Sequence, residues 1–465
     1  MIQKNEIVTG VVSALGTNGE GIVRHEGITF FVPACLVGEK VRLKALKVKN
    51  GIGYGKVEEI LSLSSERVSP RCPAFLKCGG CDLQHLTYSA QLAFKRGLVQ
   101  DCLKKIGGLD VAVDDCVACE KEYAYRNKLQ LPVGSDGEGN TVVGFYARRS
   151  HRIIPVSRCE IHPDWAEKLI ATFLDYAREN RVRGYDEEQK TGSIRHLVVR
   201  EIGGQFIVTV VGVEKRLPAA EKLVEKLSGI FGKFTLYYNR NPKETNVIFG
   251  KEFQLVHGCG FFQAEEGGIR YEAGPATFLQ VNETMRTKLY ADAVESVTEG
   301  GDEVVIDAYS GGGLMTAMVA KRAKAVYGIE LEEEAVRCAD ALKEKNGLSN
   351  MQNICGYVEE QLPRVLEKVR GERLRLIVDP PRAGIHRTAL KAIEESGVEK
   401  ITYVSCNPAT LARDLGILTG TLIEKDGALV KTENPQGNYK IVSVTPYDMF
   451  PQTKHVETLV VLQRK

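Results

Sequence analysis

The chain has 465 residues, 43% of them hydrophobic and 26% charged, with 62 Lys and Arg against 60 Asp and Glu. That length exceeds one ordinary core and suggests about three domains of a soluble globular protein. The near balance of charge excludes a uniformly basic nucleic-acid binder, so any RNA binding must rest on local patches. The opening MIQKNEIVTG lacks the apolar stretch of a secretory signal, and no run of eighteen apolar residues offers a membrane span. A cytoplasmic protein without a membrane partner is the expectation, with a monomer as the default. Twelve cysteines in that setting point to metal or catalysis more than to disulfides, although free cysteine also serves as a small buried hydrophobe.

Residues 1–62 hold short β-type runs separated by glycines, such as EIVTGVVSALG and EKVRLKALKVKN, the pattern of a small OB-type β-barrel. From Lys40 to Lys56 there are six Lys or Arg and no Asp or Glu. A groove tracking a single-stranded backbone needs such a stretch, and a solvated strand face has the same look. Residues 61–71, LSLSSERVSPR, read as a linker.

A cysteine-rich patch follows, Cys72-x5-Cys78-Gly-Gly-Cys81. Thiols at ligand spacing suggest iron–sulfur or zinc. A second pair, Cys116-x2-Cys119, could join Cys78 and Cys81 in a zinc site, across a gap longer than the usual zinc-ribbon interval. Residues 90–106 have helical apolar spacing, and that helix could pack on the C-terminal domain. A mixed α/β pattern with strands such as RHLVVREIGG and QFIVTVVGV fills the rest of a central domain, residues 70–262.

From about residue 263 to 465 strands and helices alternate. VVIDAY (304–309), AVYGIE (325–330), LRLIVDPP (374–381) and KITYVSC (400–406) are apolar runs with polar ends. This predicts a Rossmann-like parallel sheet covered by helices on both faces, with two further strands near its edge in the tail. After the first run, Ser310-Gly311-Gly312-Gly313 lets a ligand approach the backbone and a helix start near Leu314. About twenty residues on, Glu330 ends the next strand, placed to bind ribose hydroxyls. Acidic Asp307 and the absence of basic residues in the loop fit a nucleoside carrying a sulfonium better than a pyrophosphate, with NAD as the structural rival. Asp379-Pro380-Pro381-Arg382 ends the fourth run, where such sheets gather ligand contacts; a strand-stopping turn reads the same.

Ser405-Cys406-Asn407-Pro408 closes the next run and leads into a helix from about Ala409. A thiol at a helix N-terminus has a lowered pKa, which makes Cys406 a candidate nucleophile. A methyltransferase needs one if its target is uracil C5, which is unreactive until a thiolate adds to C6. The C5 proton must then leave to a base, and Glu457 in His455-Val-Glu-Thr, at a strand start, is the candidate.

These segments resemble the RNA (uracil-5-)-methyltransferase family: FLQVN (278–282), DAYSGGG (307–313), DPPRAG (379–384), SCNPATLARD (405–414) and HVET (455–458). The resemblance implies S-adenosylmethionine bound by Gln280, Tyr309, Glu330 and Asp379, Cys406 as nucleophile and Glu457 as base. It also implies an N-terminal TRAM domain and a [4Fe–4S] cluster on Cys72, Cys78, Cys81 and Cys159, features of the subgroup acting on 23S ribosomal RNA. Ribosomal RNA, with an unpaired or flipped uridine, is therefore the expected substrate, and tRNA the alternative. Related cytosine enzymes carry a further cysteine right after the proline pair, where this chain has Arg382. A radical enzyme built on the cluster and a non-catalytic RNA-binding protein are the readings from other classes. A fourth cluster ligand speaks against the first, and intact Cys406 and Glu457 against the second.

Overall fold

The computed structural model describes residues 2–465. Five strands, β1 (Ile7–Leu15), β2 (Gly21–His25), β3 (Ile28–Val32), β4 (Lys40–Lys49) and β5 (Ile52–Ser62), close a barrel in the order β1-β2-β3-β5-β4. The β3–β5 pair is parallel and the others are antiparallel. Alternate residues point inward, so Val8, Val12, Val23, Phe30, Val41 and Leu43 form a core of the barrel's own. The predicted OB-type barrel is present. The expected linker is not loose: Arg67 Nε lies 2.6 Å from Glu39 Oε1 and its Nη2 donates to the Ala34 carbonyl at 2.7 Å. The fully buried Glu39 carboxylate thus ties residues 63–67 to the barrel wall.

Helix α1 (Tyr88–Cys102) follows, continued by one wide turn at Leu103–Gly107. Its Val99 and Cys102 belong to the same core as the C-terminal sheet, so the helix packs there. Seven strands form the central sheet: β6 (Lys128–Ser135), β7 (Thr141–Tyr146), β8 (Ile153–Pro155), β9 (Ile194–Ile202), β10 (Gln205–Gly212), β11 (Phe234–Arg240) and β12 (Glu252–His257). Their order is β12-β11-β10-β9-β6-β7-β8. Helices α2 (Trp165–Glu179) and α3 (Ala220–Ser228) bury Leu169, Phe173, Leu223 and Leu227 in the core of this sheet. A hairpin, β13 (Phe262–Glu266) and β14 (Ile269–Ala273), then packs into the C-terminal core.

Helix α4 (Glu283–Val297) opens the C-terminal layer. Strands β15 (Val304–Ala308), β16 (Ala325–Glu330), β17 (Met351–Cys355), β18 (Leu374–Val378) and β19 (Lys400–Ser405) are parallel, with helices α5 (Leu314–Ala320), α6 (Glu333–Asn346), α7 (Val358–Lys368) and α8 (Arg387–Glu395) between them. Helix α9 (Pro408–Thr419) and a short hairpin, β20 (Leu422–Lys425) with β21 (Ala428–Lys431), precede β22 (Tyr439–Tyr447) and β23 (Glu457–Arg464). The sheet order is β17-β16-β15-β18-β19-β23-β22, with β23 antiparallel to its neighbours. Chain order reverses between β15 and β18, and the crevice beyond their carboxyl ends is where such folds hold ligands. Strand β17 and both hairpins are additions to the expected elements.

Candidate functional site

The loop after β15 turns sharply because Tyr309 sits at φ 68°, in the left-handed region. This lets the N–H groups of Tyr309 and Ser310 both donate to the Ile329 carbonyl, at 2.9 and 3.0 Å. Gly313 (φ 78°) must lack a side chain, since a Cβ there would come within 2.6 Å of Ala339 Cβ. A Cβ at Gly311 or Gly312 would meet nothing within 4 Å, so the loop backbone faces open space. Gly311 N–H donates to Glu330 Oε2 and Glu332 N–H to Oε1, both at 2.9 Å, which fixes the Glu330 carboxylate beside that space. Asp307 lies beneath, fully buried; Thr316 donates to its Oδ2 at 2.6 Å, and burial with Asp379 and Glu330 nearby lifts its pKa to about 7.

Gln280 lies on an extended segment held from two directions. Asn127 N–H donates to the Val281 carbonyl at 2.8 Å, and Arg200 donates to that of Leu279 at 3.2 Å. Asn282 caps α4 by accepting from Met285 N–H at 3.3 Å and donates to the Met449 carbonyl at 3.1 Å.

Cys406 directly follows β19. Asn407 caps α9 through Ala409 N–H at 3.1 Å, Pro408 occupies the first helical position, and Asn407 Nδ2 donates to the Arg382 carbonyl at 2.9 Å. Thr410 donates to the same carbonyl at 3.2 Å, so the Asp379–Arg382 turn and the Cys406 turn are locked together. Asp414 braces this pair from below, accepting from Ile385 N–H at 2.8 Å and from Tyr403 at 2.7 Å. Glu457, 3% exposed, is the first residue of β23. Gln280, Tyr309, Glu330, Asp379, Cys406 and Glu457 all line one cleft of about 2710 Å³. Six residues from six separate segments thus converge.

The electrostatics correct one expectation. The helix N-terminus was to lower the Cys406 thiol, yet its pKa is raised above the ordinary value. Burial is the largest cause, then the Glu457 and Asp379 carboxylates; only the Arg382 guanidinium opposes them. Burial likewise drives Glu457 well above the usual carboxylate range, with Asp379 adding and Arg382 opposing, and lifts Asp379 to about 7. Cys406 and Glu457 therefore both feel the Asp379 carboxylate and share one cation, Arg382. Arg382 entered the sequence reading only as a marker against cytosine, and Asp414 not at all, though both lie inside the quoted motifs.

Cys72, Cys78, Cys81 and Cys159 occupy one neighbourhood. Burial lifts Cys81 and Cys159 to about 12; Cys78 and Cys72 add to the rise in Cys81, and Cys81, Cys72 and Cys78 to that in Cys159. Gly80 N–H donates to Cys78 Sγ at 3.4 Å, and Cys72 N–H to Gln84 at 3.1 Å. Among the described residues no three His, Cys, Asp or Glu are gathered closely enough to hold a metal ion. All four are free thiols, and Cys78 and Cys81 flank a Gly-Gly turn. Cys116 and Cys119 are elsewhere. Both are buried beside Asp448, and Cys119 Sγ accepts from Asn282 at 3.3 Å.

Fold and cleft define a Rossmann-like S-adenosylmethionine-dependent methyltransferase. Residues 87–465 match the tRNA (uracil-5-)-methyltransferase family, and the chain belongs to it. RNA methyltransferases of Clostridium tetani and Halalkalibacterium halodurans are each 38% identical, over 99% and 100% of this chain and 97% and 98% of theirs. The solved tRNA (uracil-54, C5)-methyltransferase of Pyrococcus abyssi, in complex with S-adenosyl-L-homocysteine, is 26% identical with a TM-score of 0.75, covering 98% of this chain and 99% of that one. No helix among the described residues is long and apolar enough to cross a membrane.

Proposed function

We propose that this enzyme forms 5-methyluridine in RNA by a covalent route, with Cys406 as nucleophile, Glu457 as base and 23S ribosomal RNA as substrate. The observation that carries the reading is the convergence of Cys406 and Glu457 on the cleft that also holds Glu330, Asp379 and the open glycine loop. Gln280, Tyr309, Glu330 and Asp379 would hold S-adenosylmethionine. The free space over Gly311 and Gly312, with carboxylates at its edge, suits ribose hydroxyls and a sulfonium. That cofactor supplies the electrophilic methyl group.

The residues act in order. A uridine flipped out of any stack enters the cleft. Arg382 offsets the charge of the Cys406 thiolate, whose proton has left to water. Sulfur bonds to C6, and the electron pair moved to C5 takes up the methyl group. The thiolate charge is then consumed, so Glu457 loses a like-charged neighbour and its ionised form becomes easier to reach. Its carboxylate takes the C5 proton, the C6–S bond breaks and Cys406 leaves as thiolate.

The barrel and the four thiols support ribosomal RNA, through the subgroup resemblance. A second reading, tRNA, is favoured by the Pyrococcus abyssi enzyme, which covers this chain from end to end, barrel included. Incubating the protein with methyl-labelled cofactor and purified 23S rRNA or tRNA separates them. Label is expected in 5-methyluridine of the rRNA; label confined to tRNA overturns the assignment. The four thiols are read as the ligands of a [4Fe–4S] cluster that shapes the region facing the RNA. The protein purified without oxygen should then be brown. Cys159→Ser should lose iron and Cys116→Ser should retain it. Zinc in place of iron, or the reverse order of the two variants, contradicts the ligand set.

A further inference from the structure

We infer that Gln452 is a positioning residue for Glu457, and that helix α1 acts on one step of the reaction through it; this rests on the reading of Glu457 as the base. Residues 448–456 join β22 to β23 and deliver Glu457 at the first position of β23. The connection has no regular structure, yet distant segments grip it along its length. Asp448 pairs with Lys95, both side chains fully buried, and Lys95 also donates to the Phe450 carbonyl at 3.0 Å. Tyr125 donates to the Pro451 carbonyl at 3.0 Å.

The tightest grip is on Gln452, 1% exposed and at φ 70°. A non-glycine residue takes that conformation only where its surroundings impose it, and such residues gather at functional sites. Its carbonyl accepts from the N–H groups of Asp82 and Leu83 at 3.1 and 3.0 Å, immediately after Cys81. Gln91 on α1 closes a reciprocal clamp: Gln452 N–H donates to Gln91 Oε1, and Gln91 Nε2 donates to Gln452 Oε1, both at 3.0 Å.

The clamp bears unequally on the reaction. Cys406, Asp379 and Arg382 follow β19 and β18, which take their position from parallel pairing with each other and with β15, although Ser405 also pairs with Thr458 of β23. Glu457 depends on this turn, and proton transfer needs a heavy-atom approach of about 2.6–3.2 Å. Loosening the clamp should slow proton removal and spare thiol addition and methyl uptake.

Gln91→Met and Gln452→Met remove the clamp while keeping volume. In single turnovers on uridine RNA, read on denaturing gels, both should form the methylated adduct within about threefold of the wild-type rate and release it roughly 10- to 100-fold more slowly, the scale for a displacement near 1 Å. The double variant should be no slower than the worse single, since the two side chains act as one unit. Gln91→Asn, one methylene shorter, should show the same selectivity with a smaller effect. Release at the normal rate overturns the inference. So does slowing of formation and release alike with a lowered melting temperature, which marks a merely structural contact. Glu457→Gln is the benchmark: if it releases RNA normally the base reading itself fails, whereas a stalled Glu457→Gln beside normal clamp variants overturns the clamp alone.

Discussion

Cys406→Ala is expected to abolish methyl transfer, on the order of 10⁴-fold or more, the scale on which enzymes lose rate with a nucleophile. Cys406 is the cysteine at the carboxyl ends of β18 and β19, whereas Cys338, which also lines the cleft, stands on α6. Stability should change by no more than about 1 kcal/mol, since the Cys406 side chain is half-buried and braces no element. Cofactor affinity, measured by calorimetry, should be unchanged. The pH profile of the wild type offers a check: a thiol raised by burial and two carboxylates is mostly protonated at neutral pH, so adduct formation should accelerate as pH climbs toward the thiol's pKa. Full activity of the alanine variant would end the covalent route.

Glu457→Gln has the second large effect, and it falls on a different step. Glutamine keeps the size and much of the hydrogen bonding but cannot accept the C5 proton. The buried site also favours the neutral side chain, so the fold should tolerate it. Methyl uptake should occur once and the adduct should then stall, because loss of a positioned base costs about 10²–10⁴-fold. Denaturing gels should show a slow protein–RNA band carrying the cofactor's methyl label on ordinary uridine. Normal turnover would rule the residue out. Absence of any adduct, with RNA and cofactor still bound, would move Glu457 to the addition step.

Much of this site was readable before the fold because parallel strands collect their carboxyl ends along one edge. Polar residues that end apolar runs, Glu330, Asp379 and Cys406, are brought together by that geometry alone. Glu457 followed the same logic on a strand that runs the other way. Strand β17, MQNIC, escaped because it lies at the sheet edge, half exposed, and lacks an apolar run. The thiol was misjudged since the helix-terminus rule weighs one effect, whereas burial and two carboxylates converge only in three dimensions. The Gln91–Gln452 clamp spans 361 positions and has no local signature. Cys116 and Cys119 show the opposite failure: ligand-like spacing, yet each is packed beside Asp448 away from the other thiols.

The covalent claim is tested most directly with RNA carrying 5-fluorouridine at the target position. Fluorine cannot leave as a cation, so the wild type should be trapped after methyl uptake. Protease digestion and mass spectrometry should then find the methylated nucleotide on the peptide containing Cys406, and no trap should form with Cys406→Ala. A wild type that methylates ordinary RNA but leaves no bond to the fluorinated strand, or a nucleotide found on another residue, would contradict the account.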